Sequence, residues 1–155
     1  MTMYTKILIP LDGSETAECV FLYLRWFIKV SHVNDLVFLR IVEPFKAGHD
    51  VAGSVPPDER HRLEEDASVL AGEYLKTVTA EFESGDMKVN RVVLVGKPAK
   101  TIGEYVTECR ADLIIMATHG HSGIQRWMRG SVAEEILHAA HVPVLLVRSD
   151  DRPPD

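Results

Sequence analysis

The chain has 155 residues, 46% of them hydrophobic, which is enough to bury one substantial core without disulfides or structural metals. Its formal net charge of -6 excludes a protein that binds nucleic acid through a general attraction to phosphate, so any anion site has to be local. No segment approaches the roughly 18 apolar residues of a membrane span, and the start MTMYTKILIPLDG lacks a signal-peptide pattern, so we expect a cytoplasmic protein that binds neither membrane nor nucleic acid.

Short apolar runs alternate with segments of helical periodicity along the whole chain. This alternation predicts an α/β fold in which helices cover both faces of an open parallel sheet. Because the run LIIMA has no polar alternation, we expect it to lie inside the sheet with both faces covered. The predicted strands, in chain order, are KILIP (Lys6–Pro10), LVFLRIV (Leu36–Val42), VNRVVLVG (Val89–Gly96), LIIMA (Leu113–Ala117) and VPVLLVR (Val142–Arg148).

Four helices are predicted between these strands. The first runs from Ser14 to about Val30, the third from Pro98 to Cys109 and the fourth from Ser131 to Ala140. The second and longest follows Pro57, after a long surface loop (EPFKAGHDVAGSVPPDE), and ends at Gly85. Its predicted buried face consists of Leu63, Ala67, Leu70, Ala71, Tyr74, Leu75, Val78 and Phe82.

The chain shows no internal repeat and no linker. We therefore expect one domain over residues 1–149, followed by a disordered tail, DDRPPD, over residues 150–155. The two cysteines, Cys19 and Cys109, fall on apolar faces of different helices, and we expect both to be small buried hydrophobic residues.

Two strand ends carry unusual loops. The first strand ends in PLDGSE, with Asp12 at its tip, and the fourth leads into THGHSGIQRWMRGS before the last helix begins. In open parallel sheets ligands bind beyond the carboxyl ends of the strands, where the strand order reverses. If these two strands are neighbours, Asp12 faces Gly120 across a crevice, although sequence spacing alone leaves that adjacency open.

The second loop has the components of a phosphate site. Gly120 and Gly123 let backbone N–H groups approach an anion, and Gly130 with Ser131 stands at the start of a helix. The first N–H groups of a helix have no internal partner, and the helix dipole adds partial positive charge there. The sequence thus predicts a local phosphate site, into which Arg126 or Arg129 can reach.

Both loops also have purely structural explanations. Ser131 and Glu134 form the S-x-x-E pattern of a capping box, which stabilises a helix start without any ligand. An aspartate such as Asp12, in a turn between strand and helix, commonly caps the helix. The side chains of Trp127 and Met128 are expected to pack against the protein and hold the loop in place.

Several other classes of site fit the residues poorly. His119, His121, His138 and His141 are close in sequence, but no cysteine or paired acidic ligand joins them, which disfavours structural zinc. The nucleophile elbow G-x-S-x-G and the P-loop signature G-x4-G-K-[ST] are both absent.

Four segments carry a resemblance to a known family: ILIPLDGSE, VGKPAKTI, DLIIMATHG and GSVAEEILHAAHVPVLLVR. In this order they resemble the universal stress proteins, over nearly the whole chain from Tyr4 to Arg148. The nucleotide-binding members of that family carry G-x2-G-x9-G-[ST] after the fourth strand. Here the pattern falls on Ala117, Gly120 and Gly130-Ser131, so that alanine replaces the family's first glycine.

The resemblance implies a Rossmann-like sheet of the adenine nucleotide alpha-hydrolase type, with strand order 3-2-1-4-5. It implies that Asp12 contacts the ribose or a phosphate oxygen bound to Mg²⁺, that Ile41 holds adenine through its backbone, and that Pro10 and Leu11 shape the floor. The phosphate cradle it implies consists of Gly120, Gly130, Ser131 and the N–H of Val132.

The resemblance also implies a homodimer formed through the last strand, Val142–Arg148. An apolar edge strand of this kind otherwise invites aggregation, which favours such pairing. The resulting hypothesis is an ATP-binding regulatory dimer that acts in stress response through an unknown protein partner. Two alternatives stay open: a nucleotide-free interaction module of the same fold, and a slow ATPase, for which no general base is evident.

Overall fold

A computed structural model of the chain describes residues 4–45, 55–118 and 132–148. Its five strands form one parallel sheet in the order β3-β2-β1-β4-β5. The predicted fold class and the strand order implied by the resemblance are therefore confirmed. The strands are β1 (Lys6–Leu11), β2 (Asp35–Val42), β3 (Lys88–Val95), β4 (Leu113–Thr118) and β5 (Val144–Arg148).

Helices pack on both faces of this sheet, as the sequence predicts. The first three contribute to one hydrophobic core and the last two to a second core on the opposite face. The inner strands supply residues without exposed surface to both cores, among them Ile9 and Ile115 to the first and Leu8 and Ile114 to the second. The helices are α1 (Glu15–Glu18), α2 (Val20–Val30), α3 (Pro57–Val78), α4 (Pro98–Glu108) and α5 (Val132–Ala139).

The first predicted helix is interrupted at Cys19, so it forms two segments instead of one. The N–H of Cys19 donates to the carbonyl of Thr16 at 3.3 Å, a bond to the third residue back that tightens the turn there. Ser14 begins the first segment as predicted, because its Oγ accepts from the N–H of Ala17 at 3.2 Å. Cys19 and Cys109 are each only partly buried, so the expectation that both are fully buried is wrong, and neither forms a disulfide.

The end predicted for the longest helix is wrong. α3 stops at Val78, and a short 3-10 turn over Ala80–Phe82 follows. The Thr79 hydroxyl donates to the carbonyl of Leu75 at 2.6 Å and accepts from Nε of Arg91 at 2.7 Å. This contact with a residue of β3 fixes the helix end, and Phe82 is nevertheless buried because the 3-10 turn folds it into the core.

The buried face predicted for α3 is too wide. Leu63 and Leu70 are 45% and 70% exposed, whereas Ala71 and Leu75 are buried. At 3.6 residues per turn, Leu70 lies about 140° around the helix from Leu75, which is too far to share its contact with the sheet. In the part of the chain that is described, no helix combines the length and the apolar character needed to cross a membrane.

Candidate functional site

β1 and β4 separate before they reach their carboxyl ends. They pair only at Ile7 with Leu113 and at Leu8 with Ile114, although β1 continues to Leu11. β4 continues to Thr118 while pairing with β5 along its length. A crevice therefore opens between two strands that are neighbours in the sheet.

Pro10 explains where the pairing stops. The carbonyl of Lys6 accepts from the N–H of Asp112 at 3.0 Å, so the backbone of Lys6 faces β4. Successive residues of a strand present their backbone groups to opposite neighbours, so Pro10, four residues further on, faces β4 as well. Proline has no N–H to donate. The next hydrogen bond of the β1–β4 ladder is therefore missing, which explains why the pairing ends at Leu8.

The crevice widens into a cavity of about 460 Å³ at the carboxyl ends of β1, β2 and β4. This volume lies within the range of about 300–1,000 Å³ that is typical of small-molecule sites. Most of the wall is apolar, and its polar side chains come from the carboxyl ends of β1, β2 and β4 and the turns that follow β1 and β2. The described lining residues are Pro10, Leu11, Asp12, Ser14, Ala17, Leu39, Arg40, Ile41, Val42, Glu43, Ala67, Pro98, Ile102, Met116, Ala117, Thr118, Val132 and Ala133.

The Asp12 carboxylate is held in place by the turn that follows it. Its Oδ1 accepts from the backbone N–H of Ser14 at 2.9 Å and from the Ser14 hydroxyl at 2.6 Å. Gly13 allows this turn because its φ of +87° is a conformation that other residues rarely adopt. Ser14, rather than Asp12, caps the helix, and Asp12 positions Ser14. Asp12 lines the cavity, and both hydrogen bonds that its carboxylate accepts within the described residues go to Oδ1.

The end of β2 supplies a main-chain acceptor. The carbonyl of Val42 accepts from the N–H of Gly96 toward β3, so the carbonyl of Ile41 points the other way, toward β1. β1 pairs with β2 only as far as Arg40, so the Ile41 carbonyl lies just past the paired part of β1. The Ile41 side chain is buried in the second core, several of whose residues also line the cavity.

Arg40 is a residue of the cavity that the sequence interpretation missed. Its Nη1 donates to the Ile41 carbonyl at 3.1 Å, and its guanidinium lies 3.5 Å from the point where a Cβ on Gly13 would stand. Among the described lining residues it is the one with a cationic side chain. The available signal was a single charged residue near the carboxyl end of an otherwise apolar interior strand, LVFLRIV.

The first turn of α5 and the end of β4 also line the cavity. Val132 and Ala133 begin α5, and Ala117 is the next-to-last residue of β4; all three line the cavity. Of the predicted site residues, the structure therefore brings together Pro10, Leu11, Asp12, Ile41, Ala117 and Val132. The other calls lie outside the described residues: His119, Gly120, His121, Gly123, Arg126, Trp127, Met128, Arg129, Gly130 and Ser131.

Tyr74 connects α3 to α1. Its hydroxyl donates to Oε1 of Glu18 at 2.9 Å. Burial is the main cause that raises the pKa of Tyr74, followed by the hydrogen bond to Glu18 and by the negative charges of Glu18 and Asp12, while the charge of Arg40 opposes them. The tyrosine therefore remains a neutral donor next to a carboxylate and an arginine.

Known proteins are similar to this chain in sequence and in fold. A model of the universal stress protein family matches residues 3–148. The chain is 34% identical to Universal stress protein MJ0531 of Methanocaldococcus jannaschii over 151 residues, which cover 94% of this chain and 83% of that protein.

Two solved structures show the same architecture. The hypothetical protein MJ0577 of the same archaeon superposes with a TM-score of 0.76 at 25% identity, covering 99% of this chain and 100% of that one. A universal stress protein solved in complex with cAMP superposes with a TM-score of 0.60 at 19% identity, covering 96% and 100%. The second likeness, at this identity, concerns the fold alone.

Proposed function

Because the chain belongs to the universal stress protein family, we propose that it binds Mg-ATP in the cavity between β1 and β4. It does so as a cytoplasmic regulatory dimer that acts in stress response through a protein partner. The observation that carries this proposal is the cavity itself. It lies where the pairing of two neighbouring strands ends, and both Asp12 and the first turn of α5 line it.

Each part of the nucleotide has a suitable group in this cavity. The Asp12 carboxylate suits the ribose hydroxyls, and the Ile41 carbonyl suits an amino group on the base. Pro10 and Leu11 form the floor beneath them. An adenine nucleotide also occupies a neighbour of the same fold, the universal stress protein solved with cAMP.

The phosphates are assigned to the start of α5. The backbone N–H groups of a first helical turn lack internal partners, and the helix dipole adds partial positive charge, so the N–H of Val132 suits a phosphate oxygen. In the proposal Gly120, Gly123, Gly130 and Ser131 complete this cradle. Ala117 replaces the family's first glycine, and its single methyl group adds little bulk to the cavity wall.

Magnesium enters with the nucleotide. Mg²⁺ usually keeps several waters and is bound through one or two carboxylates together with the substrate phosphates. Asp12 supplies the carboxylate for this role as the alternative to its contact with the ribose hydroxyls, because it lines the cavity and Ser14 holds its Oδ1 in place. In the described residues, no three potential metal ligands cluster at a separate site.

We assign no catalytic residue. A general base has to lie within hydrogen-bond reach of the attacking water. The two carboxylates that line the described part of the cavity are Asp12, which the turn holds, and Glu43. The proposal is therefore binding without significant turnover, and slow ATP hydrolysis is the alternative that the experiment below distinguishes.

The dimer is assigned to β5. The carbonyl of Pro143 accepts from the N–H of Ile114, so Pro143, Leu145 and Val147 present their backbone groups to β4. Val144 and Leu146 present theirs to the open edge of the sheet. A strand with apolar side chains and outward-facing N–H and carbonyl groups is suited to pair with the same strand of a second copy.

A thermal-shift titration with Mg-ATP tests the proposal. Ligand at about 100 times its Kd stabilises a protein by roughly 2.7 kcal/mol, so saturable stabilisation is expected for the wild type. Gly130→Trp, which places a large side chain at the proposed phosphate cradle, should abolish it. No shift at millimolar Mg-ATP would instead support the nucleotide-free module. Product that accumulates over hours beyond a protein-free control would support the slow ATPase.

A further inference from the structure

The cavity presents a donor and an acceptor side by side at the end of β2. The acceptor is the Ile41 carbonyl, which points toward the space beyond the paired part of β1. The donor is the Arg40 guanidinium, which already hydrogen-bonds to that carbonyl at 3.1 Å. A ligand group that binds the Ile41 carbonyl therefore lies beside the guanidinium.

Among the described residues, the Arg40 side chain makes one hydrogen bond, to the Ile41 carbonyl, which leaves most of its donors for a ligand. A guanidinium has five N–H donors in a fixed plane, and the contact with Ile41 uses one of them. The guanidinium is held over the turn at Gly13, at the border between the proposed base and ribose positions. It is also the cationic group among the described lining residues, in a protein of net charge -6.

We propose that Arg40 determines which purine base the cavity prefers, an inference that rests on the nucleotide site proposed above. The 6-amino group of adenine is a donor, and to reach the Ile41 carbonyl it has to displace or share the Arg40 hydrogen bond. The 6-carbonyl group of hypoxanthine or guanine is an acceptor, and Arg40 can donate to it without leaving Ile41. Arginine recognises the O6 and N7 atoms of guanine in this way in other settings. Arg40 thus shifts the cavity away from strict adenine preference toward 6-oxopurine nucleotides.

The test compares Mg-ATP with Mg-ITP, since hypoxanthine differs from adenine by having oxygen in place of the 6-amino group. The Kd of each is measured by calorimetry for the wild type and for Arg40→Met, which keeps an unbranched apolar stem and removes the donors. Loss of a hydrogen bond to a charged group changes affinity by on the order of tenfold. We expect the preference for ATP over ITP to rise about tenfold in Arg40→Met, with tighter ATP binding and weaker ITP binding.

Two further variants control for effects of the substitution that do not involve the Arg40 donors. Arg40→Lys retains a cationic donor and should restore part of the ITP affinity, which a purely structural role of Arg40 would not predict. Arg25→Met removes an exposed arginine of α2, paired with Glu81 outside the cavity, and should leave the ratio unchanged.

Each outcome decides between the claims. A ratio that is the same in the wild type, Arg40→Met and Arg40→Lys, with nucleotide still bound, overturns the role of Arg40 and leaves the proposed function intact. A wild type that binds neither nucleotide overturns the proposed function, and the inference about Arg40 falls with it.

Discussion

Leu8 pairs with Ile114, and this is the last pair of β1 with β4 toward their carboxyl ends. The next donor on that side of β1 would belong to residue 10, which is proline. The N–H of Ile114 donates to the carbonyl of Pro143, on the β5 side, so the backbone of the next residue, Ile115, faces β1. The Ile115 carbonyl therefore lies where residue 10 of β1 would donate an N–H, and proline has none. We infer that the crevice depends on the absence of this single backbone donor.

Pro10→Ala should narrow the crevice. The new N–H can donate to the Ile115 carbonyl, which extends the β1–β4 ladder by one bond and draws the strands together. We expect the new amide to be protected from hydrogen exchange and the affinity for Mg-ATP to fall several-fold, while the protein stays folded. Pro143→Ala, just before β5 and outside the cavity lining, is the control and should keep the wild-type affinity. Protection at residue 10 with undiminished affinity would separate the crevice from nucleotide binding.

Asp12 has a structural and a proposed binding role that two substitutions separate. Asp12→Ala removes the acceptor that holds Ser14, and we expect a loss of about 1 kcal/mol in the free energy of unfolding, the usual net contribution of a hydrogen bond. Asp12→Asn keeps an oxygen for Ser14 and should cost less. Both variants should lose most of the stabilisation by Mg-ATP, because neither has the carboxylate. Urea unfolding with and without Mg-ATP measures both effects, and full Mg-ATP stabilisation of Asp12→Asn would refute the role of the charge.

Tyr74→Phe should lower stability by about 1 kcal/mol at neutral pH, the usual net contribution of one hydrogen bond, because the bond to Glu18 is lost. The pKa of Tyr74 is raised in the folded protein, whereas unfolded tyrosine titrates at about pH 10. The extra stability of the wild type is therefore fully present below about pH 10 and is lost as the pH rises above it.

Urea unfolding at pH 7 and at about pH 11 measures this difference. Tyr4→Phe is the matched control, since the Tyr4 ring packs edge-on against Phe27. A stability difference between the wild type and Tyr74→Phe that does not change with pH would contradict the assignment.

Leu146→Pro should dissociate the proposed dimer without unfolding the subunit. The N–H of Leu146 faces the open edge of the sheet, so proline at this position removes no bond to β4 but blocks pairing with a second copy. Leu146→Ala controls for the lost side chain and should remain dimeric. Sedimentation equilibrium gives the mass of each variant. A dimeric Leu146→Pro would place the interface elsewhere, and a monomeric wild type would remove the dimer altogether.

The sequence predicted the strands and their layers because each strand is a short apolar run, and such runs are local signals. The strand order came from the resemblance, since the spacing between Asp12 and Gly120 does not reveal which strands are neighbours. The end of α3 was misplaced because an arginine of β3, Arg91, fixes it through Thr79. Periodicity contains no information on such a contact.

The site was predicted only in part, because some of its residues have a local sequence signal and others depend on long-range contacts. Asp12 and Ala117 could be placed at the cavity because both stand at or just beyond strand ends. Arg40 could not, because its guanidinium folds back on the carbonyl of Ile41, an arrangement that depends on the geometry of the turn at Gly13.

The central claim is that an adenine nucleotide occupies the cavity between β1 and β4, and methyl NMR of ¹³C-methionine-labelled protein tests it most directly. The chain has five methionines. Met116 lines the cavity, whereas Met87 precedes β3, an edge strand, and is not among the lining residues. Titration with Mg-ATP should shift the Met116 methyl signal saturably and leave that of Met87 unchanged. A Met116 signal that does not move at millimolar Mg-ATP, or a shift confined to Met87, would contradict the claim.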